Sequence, residues 1–130
     1  MKIGIFGGAF DPLHIEHIKI IKTAKKDLSL DKLILLPSCS PPHKSWEISP
    51  FEYRLEFLLR EFGTSPDIIF DTRENGREVS YSYKVLAELK EEYPDDELIY
   101  IIGGDSMEKF HTWVNPEVIA KIMPIAVAAR

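Results

Sequence analysis

A glycine pair followed by two histidines is the part of this sequence best suited to chemistry. The stretch comprises Gly7, Gly8, Ala9, Phe10, His14 and His17, directly after a short apolar run. A strand, a glycine turn and a helix N-terminus form an anion cradle, because glycine lets backbone amides approach a phosphate and the helix end presents free N–H groups. The stretch lacks the third glycine of the dinucleotide fingerprint and the Gly-Lys-Ser/Thr of the P-loop. It therefore predicts a phosphate site of another kind.

The two histidines are spaced for a shared ligand. His14 and His17 are three residues apart, so at a helix start they lie on one face, where both imidazoles can donate to phosphoryl oxygens. The alternative is a capping or surface pair without a ligand. Zinc is disfavoured, because the spacing is not that of the metalloprotease helix and the single cysteine, Cys39, is distant. No metal site is predicted in the protein itself.

Three further positions are candidates, each with a structural alternative. Gly103 and Asp105 follow a later apolar run; Asp105 could bond ribose hydroxyls or cap a short helix over 106–111. Trp113 could support a flat ring or fill the core. Lys44 lies in the long Pro-rich segment 37–50, and a loop of that length in a compact domain is usually functional.

Short apolar runs alternate with segments of helical spacing along the chain. The runs are near residues 3–6, 33–36, 68–70, 98–102 and 125–127, and the helical segments are 15–27, 51–62, 81–92 and 116–123. The predicted apolar faces are Ile15, Ile18, Ile21 and Ala24; Phe51, Leu55, Leu58 and Leu59; Tyr83, Leu86 and Leu89; and Val118, Ile119 and Ile122. This alternation predicts an α/β fold: a Rossmann-like, doubly wound open sheet of about five mostly parallel strands, with helices on both faces. Ligands of such sheets bind beyond the carboxyl ends of the strands.

Composition excludes several other classes of protein. The 130 residues are 45% hydrophobic and 28% charged, which predicts one globular domain over 1–130 rather than a disordered or fibrous chain. A net charge of -5 argues against a broad grip on nucleic acid or anionic lipid. The apolar start, Met1 to Phe6, is too short for a signal peptide or membrane span, and one cysteine cannot form an internal disulfide. We expect a cytoplasmic protein.

Five stretches together resemble one enzyme family. Gly-Gly-Ala-Phe-Asp-Pro-Leu-His-Ile-Glu-His at 7–17 resembles the nucleotidylyltransferase signature. The other four resemble the bacterial nicotinate mononucleotide adenylyltransferases; they are Leu36-Pro37-Ser38 with Pro41-Pro42-His43-Lys44, Ser80-Tyr81-Ser82, Ile101 to Ser106, and Phe110-His111-Thr112-Trp113. The order and spacing match along the whole chain.

The resemblance implies transfer of AMP from ATP to nicotinate mononucleotide, giving deamido-NAD and pyrophosphate. It implies catalytic roles for His14, His17 and Lys44, and Mg²⁺ bridging the triphosphate. The implied ATP-binding residues are Gly7, Gly8, Ala9, Phe10, His14, His17, Gly103 and Asp105. The implied acceptor-binding residues are Tyr81, Ser82, Trp113 and Arg130. An aromatic face suits the pyridine ring, and fixed N–H donors favour a carboxylate over an amide. A homo-oligomer is left open.

Two departures from the family pattern bear on activity. Glu16 stands where the family has glycine between the paired histidines, and an inward carboxylate would repel a triphosphate. The family's C-terminal strand and helices, with a phosphate-binding motif, are absent from the sequence. One alternative is thus a truncated or degenerate module that binds a nucleotide, prefers the mononucleotide to ATP and turns over slowly or not at all. Another is an enzyme with a phosphopantetheine or cytidylyl-type acceptor, against which Trp113 and the Ser80-Tyr81-Ser82 element argue.

Overall fold

The computed structural model describes residues 1–8, 10, 15–38, 49–76, 81–103 and 116–128. Strands and helices alternate through these ranges, as the sequence predicts. They are β1 (Lys2–Gly8), α1 (Ile15–Asp27), β2 (Lys32–Pro37), α2 (Phe51–Phe62), β3 (Ile68–Phe70), α3 (Ser82–Glu92), β4 (Glu97–Gly103), α4 (Pro116–Ile122) and β5 (Ile125–Ala128). The helix predicted over 106–111 lies outside the described residues.

The five strands form one sheet in the order β3-β2-β1-β4-β5, and all the neighbouring pairs are parallel. The predicted Rossmann-like fold is confirmed. The strand order reverses direction between β1 and β4, where one crossover leads towards β2 and the later one returns to the other side of β1. This switch point is where open parallel sheets bind ligands.

Two hydrophobic clusters cover the two faces of the sheet. On one face, Ile3 and Ile5 of β1 pack with α3 and α4 through residues such as Leu86 and Ile119. On the other face, Phe6 packs with α1 and α2. Successive strand residues point to opposite faces, so a strand buried on both sides needs a continuous apolar run. The short apolar runs of the sequence have this cause.

Gly4 is a glycine that the core itself requires. A Cβ at this position would lie 2.6 Å from Leu30 Cδ1, 2.8 Å from Ile101 Cδ1 and 3.0 Å from Leu33 Cδ1. These distances are shorter than normal carbon–carbon contacts, and Leu33 and Ile101 are fully buried. Gly4 therefore lets α1's neighbouring loop approach β1 closely.

The buried faces of the helices differ in part from the predicted ones. Ile15 is 67% exposed, and burial in α1 begins at Ile21 and Ala24. Leu59 and Val118 are also exposed, contrary to the prediction. In α2 the buried residues are Phe51, Arg54, Leu58 and Phe62. The buried face of α2 therefore includes the charged Arg54, whereas the sequence pattern predicted Leu55 on this face.

Ionic contacts tie the chain together at the amino edge of the sheet. The Met1 amino group donates to Asp96 Oδ1 at 2.7 Å, and the Lys2 N–H donates to Asp31 Oδ2 at 2.7 Å. The hydrogen bond from Asp96 raises the pKa of the Met1 amino group. Lys25 lies 2.6 Å from Asp67 and its hydrogen bond lowers the pKa of that carboxyl. All of these contacts lie at the edge of the sheet opposite the strand ends Gly8 and Gly103.

No helix among the described residues is long and apolar enough to cross a membrane.

Candidate active site

The candidate site lies at the carboxyl edge of the sheet, at the switch point between β1 and β4. The register pairs Phe6 with Ile101, so the ends of the two strands, Gly8 and Gly103, come to the same edge two residues later. In right-handed crossovers every helix starts at this edge. The N-termini of α1 and α3 therefore face the region beyond the two glycine ends.

The glycines at this edge are not required by packing among the described residues. A Cβ at Gly7 would have Leu36 O as its nearest described atom, at 3.6 Å; at Gly8 it would be the Phe10 ring at 3.7 Å, and at Gly103 Ile20 Cδ1 at 3.8 Å. All three are ordinary van der Waals distances, unlike the contacts at Gly4. A side chain at these positions would instead occupy space in which a ligand could approach the backbone.

Among the described residues near the end of β1, Phe10 and not a glycine has the unusual backbone conformation. Gly7 and Gly8 belong to the strand, and neither has a positive φ, whereas Phe10 has φ of 50°. A positive φ in a non-glycine residue is strained and persists only where the surroundings fix it. The Phe10 side chain is 1% exposed and its ring lies 5.5 Å from that of Phe6. Any contact of Phe10 with ATP would therefore come from its backbone, because its side chain belongs to the core.

His17 is held at the start of α1 by two aromatic rings. Its imidazole is 5.2 Å from the Phe10 ring in an edge arrangement and 6.3 Å from the Phe6 ring. The side chain is half-buried. Edge-to-face contacts of this kind orient a ring. His17 is thus oriented near the end of β1 by the two rings that it contacts.

Glu16 is exposed in the first turn of α1. A carboxylate in the first helical turn is favoured by the positive end of the helix dipole. Water also screens an exposed charge, so its repulsion of a nearby anion is weakened.

A second candidate subsite lies at the N-terminus of α3. Tyr81 is the N-cap residue in extended conformation, without a side-chain cap, and the helix begins at Ser82. The rings of Tyr81 and Tyr83 are stacked with centroids 6.1 Å apart, and Lys84 Nζ lies 5.7 Å and 5.9 Å from them. The first N–H groups of a helix have no partner within that helix. An aromatic pair beside such donors suits a flat ring that carries an anionic group.

Buried polar groups support this subsite from below. Burial raises the pKa of Tyr100 to about 12, a hydrogen bond with the Ser82 side chain opposes that shift, and the charge of Glu74 adds to it. Tyr100 is in the core on β4, and Glu74 is 7% exposed. The Ser82 side chain is therefore paired with Tyr100, and the backbone N–H of Ser82 is among the first N–H groups of the helix.

Sequence reasoning missed Arg73, Glu74 and Arg54. The segment around Arg73 forms a turn, in which Arg73 donates to both Asp71 oxygens at 2.8 Å and to Glu92 of α3. Side-chain hydrogen bonds from Asp71 and then Glu92 raise the pKa of Arg73. This network anchors the chain that leads into α3. The sequence does contain a signal for the buried Arg54, because a charged residue stands within an apolar stripe. No local sequence feature indicates the burial of Glu74.

Several predicted site residues lie outside the described part of the chain. They are Ala9, His14, Lys44, Asp105, Trp113 and Arg130. Among the predicted residues that are described, Gly7, Gly8, Phe10, His17 and Gly103 belong to the switch-point region, and Tyr81 and Ser82 belong to the α3 N-terminus. Within the described ranges, no three His, Cys, Asp or Glu side chains form a metal-binding cluster.

Comparison with known proteins identifies relatives along the whole chain. The cytidylyltransferase-like family model matches residues 5–130. Proteins named "probable nicotinate-nucleotide adenylyltransferase" include one from Geobacter sulfurreducens, 38% identical over 100% of this chain and 61% of its own length, and one from Exiguobacterium sibiricum, 37% identical over 100% of this chain and 69% of its own length. This chain thus spans less than two thirds of the former.

A solved structure shares the fold at lower identity. The Plasmodium falciparum nicotinic acid mononucleotide adenylyltransferase complexed with NaAD superposes with a TM-score of 0.80 at 17% identity, covering 99% of this chain and 75% of its own. At that identity the likeness concerns the fold alone.

Proposed function

Because this chain belongs to the cytidylyltransferase-like family, we propose that it transfers AMP from ATP to nicotinate mononucleotide, forming deamido-NAD and pyrophosphate. A phosphate oxygen of the mononucleotide attacks the α-phosphorus of ATP in line. The bond from that phosphorus to the bridging oxygen breaks, and pyrophosphate leaves with the electron pair. No covalent enzyme intermediate is needed, so catalysis consists of positioning and of stabilising the developing negative charge.

The observation that carries the proposal is the pair of glycine strand ends at the switch point. In the proposed complex the ATP phosphates lie against the backbone of Gly7 and Gly8, beyond β1. His17 donates to phosphoryl oxygens from the first turn of α1, assisted by the positive end of the helix dipole. We assign His14 and Lys44 the same supporting role from the sequence, with Ala9, Gly103 and Asp105 completing the nucleotide site.

The acceptor subsite is proposed at the N-terminus of α3. Backbone N–H groups near Ser82 would bind the nicotinate carboxylate, with Tyr81 beside the ring. Trp113 and Arg130 join this subsite as sequence-based proposals. The hydrogen bond between Ser82 and Tyr100 supports the assignment, because it fixes the first residue of the helix from within the core. An anionic carboxylate gains more from helix N–H donors than a neutral amide does, which favours nicotinate over nicotinamide.

Magnesium enters this proposal with the substrate. Mg²⁺ is usually held by one or two carboxylates together with substrate phosphates and water. MgATP is the proposed substrate, with the ion carried on its phosphates, and we expect the reaction to take place in the cytoplasm.

A pyrophosphate-release assay tests the proposal. The chain is incubated with ATP, Mg²⁺ and one acceptor: nicotinate mononucleotide, nicotinamide mononucleotide or phosphopantetheine. We expect pyrophosphate with nicotinate mononucleotide and much less with the other two. Release with phosphopantetheine alone would assign a different acceptor. Binding of the mononucleotide without any release would instead fit a nucleotide-binding module that does not turn over.

A further inference from the structure

Arg54 joins the two ends of the segment that contains Lys44. Its side chain is 3% exposed, in the apolar stripe of α2. Nη1 donates to the backbone carbonyl of Ser38 at 2.6 Å, and Nε donates to that of Ser49 at 2.9 Å. Ser38 directly precedes segment 39–48 and Ser49 directly follows it. One buried guanidinium thus bridges both ends of this segment.

The same contacts continue to the end of β1. The N–H of Ser38 donates to the carbonyl of Gly8 at 2.9 Å. Hydrogen bonds therefore connect Ser49, Arg54, Ser38 and Gly8 in sequence. Arg54 and Phe10 also line a common cavity of about 210 Å³. Arg54 thereby contacts both residues that flank segment 39–48 and is connected through Ser38 to the end of β1.

The chemistry of this position favours arginine. A buried charge is costly unless it is hydrogen-bonded, and a guanidinium presents several donors in a rigid planar fork. Here two edges of that fork contact two carbonyls that belong to different parts of the chain. The Phe51 ring centroid lies 5.4 Å from the guanidinium carbon, within the range of a cation–π contact. Lysine would keep the charge without this planar geometry, and methionine would leave both carbonyls without these donors.

We infer that Arg54 is a positioning residue for ATP binding, because its hydrogen bonds hold Ser38 and Ser49 and, through Ser38, connect to the Gly8 end of β1. This inference rests on the proposed function, in which the glycine end of β1 binds the ATP phosphates. Loss of Arg54 weakens ATP binding more than acceptor binding, since the contacts described at the α3 N-terminus do not involve it.

The test compares Arg54→Met and Arg54→Lys with a matched control, Arg60→Met. Arg60 is on the same helix but exposed, paired with Glu56. Endoproteinase Lys-C gives the first readout, because Lys44 is the only lysine between Lys32 and Lys84 and the Met variants add no new site. The second readout is the rate at which the single cysteine, Cys39, reacts with a thiol reagent. The third is calorimetric affinity for MgATP and for nicotinate mononucleotide.

In Arg54→Met we expect cleavage after Lys44 and reaction of Cys39 to accelerate at least about tenfold, as the loss of charge-assisted hydrogen bonds would do. MgATP affinity should fall by a similar factor, with less than about a twofold change for the mononucleotide. Arg54→Lys should give intermediate values, and Arg60→Met should match the wild type in all three.

Cleavage and thiol rates equal to those of the wild type would overturn the inference. So would faster cleavage with unchanged ATP affinity, because the connection to Gly8 would then have no effect on the ligand. Equal losses for both ligands would show that Arg54 only stabilises the fold. If Arg54→Met does not fold, the thiol reaction rate and the ligand affinities of Arg54→Lys test the inference instead, because the new lysine adds a cleavage site. A wild type that binds no ATP would refute the proposed function, while the cleavage rates would still judge the positioning role.

Discussion

Replacing Gly8 by alanine separates a glycine kept for a ligand from one kept for packing. The new Cβ would lie 3.7 Å from the nearest described atoms, those of the Phe10 ring, so it causes no clash with them. Gly8 does not have a positive φ, and alanine restricts the unfolded chain. We expect the free energy of unfolding to stay within about 0.5 kcal/mol of the wild type, or to rise by up to about 1 kcal/mol.

The ligand, in contrast, should be affected strongly. A methyl group at the end of β1 would occupy the space through which the ATP phosphates approach the backbone. We expect MgATP affinity to fall at least about tenfold, which corresponds to about 1.4 kcal/mol. Thermal unfolding and calorimetry on the same samples measure the two effects independently.

Gly4→Ala is the matched control. Its Cβ would meet three side-chain carbons at 2.6 to 3.0 Å, so overpacking should cost about 1 to 3 kcal/mol. At about 4 °C per kcal/mol, the melting temperature falls visibly, while ATP affinity at low temperature is retained. If Gly8→Ala destabilises the protein as much as Gly4→Ala does, or binds ATP normally, the reasoning about the strand end is refuted.

Substitutions at four other residues test the candidate site and the contacts that hold it in place. His17→Ala should lower turnover at least about 100-fold, as the loss of one preorganised hydrogen-bond donor does. The lost ring contacts should lower the free energy of unfolding by no more than about 1.5 kcal/mol. Wild-type turnover in this variant would contradict the role assigned to His17. Tyr100→Phe should reduce the loss of stability between pH 10 and about 12. The folded pKa of about 12 exceeds the unfolded value near 10, so Tyr100 contributes up to about 2 to 3 kcal/mol below pH 10, and this contribution is lost as the pH rises through the folded pKa. Urea titrations at several pH values in which the two proteins lose stability in parallel would contradict this prediction. Arg73→Ala should lower the free energy of unfolding, measured with denaturant, by about 1 to 3 kcal/mol, because Arg73 makes several charge-assisted hydrogen bonds. Loss of the exposed ion pair of Arg60 should cost no more than about 0.5 kcal/mol. Equal effects of the two changes would refute the anchoring role of Arg73. Glu16→Gly should raise MgATP affinity less than about threefold, since the side chain is exposed and screened; calorimetry that finds a tenfold gain would place its carboxylate against the phosphates.

The sequence predicts most of the fold because its apolar runs have a single physical explanation. A strand buried on both faces must be apolar throughout, so Leu33 to Leu36 and Leu98 to Ile102 stand out, and the helices between them follow from their spacing. The pairing of β1 with β4 is different. It depends on contacts between residues far apart in the chain, which no local pattern records.

The faces of the helices were less predictable for a related reason. Ile15 has the right spacing for the buried face of α1, yet it is the first residue of the helix and is exposed. In α2, Arg54 takes a core position because carbonyls of Ser38 and Ser49 bind its charge. A pattern of apolar residues cannot show a buried cation whose partners come from another segment.

In the candidate site, too, local features could be predicted from the sequence and long-range contacts could not. The glycine end of β1 and the start of α3 could be found from the sequence, because strand ends and helix starts are local features. Their supports could not. Glu74 lies in a polar turn by sequence, yet it is buried, and its charge acts on Tyr100 of β4, which is distant in the chain.

An amide NMR titration tests the central claim most directly. The ¹⁵N-labelled chain is titrated first with nicotinate mononucleotide and then with ATP and Mg²⁺. We predict that the mononucleotide shifts the amides of Ser82 and Tyr83, that ATP shifts those of Gly7, Gly8 and His17, and that the amides of Lys2 and Asp31 at the opposite edge do not respond. Shifts confined to that opposite edge, or no shift with either ligand at millimolar concentration, would contradict the account.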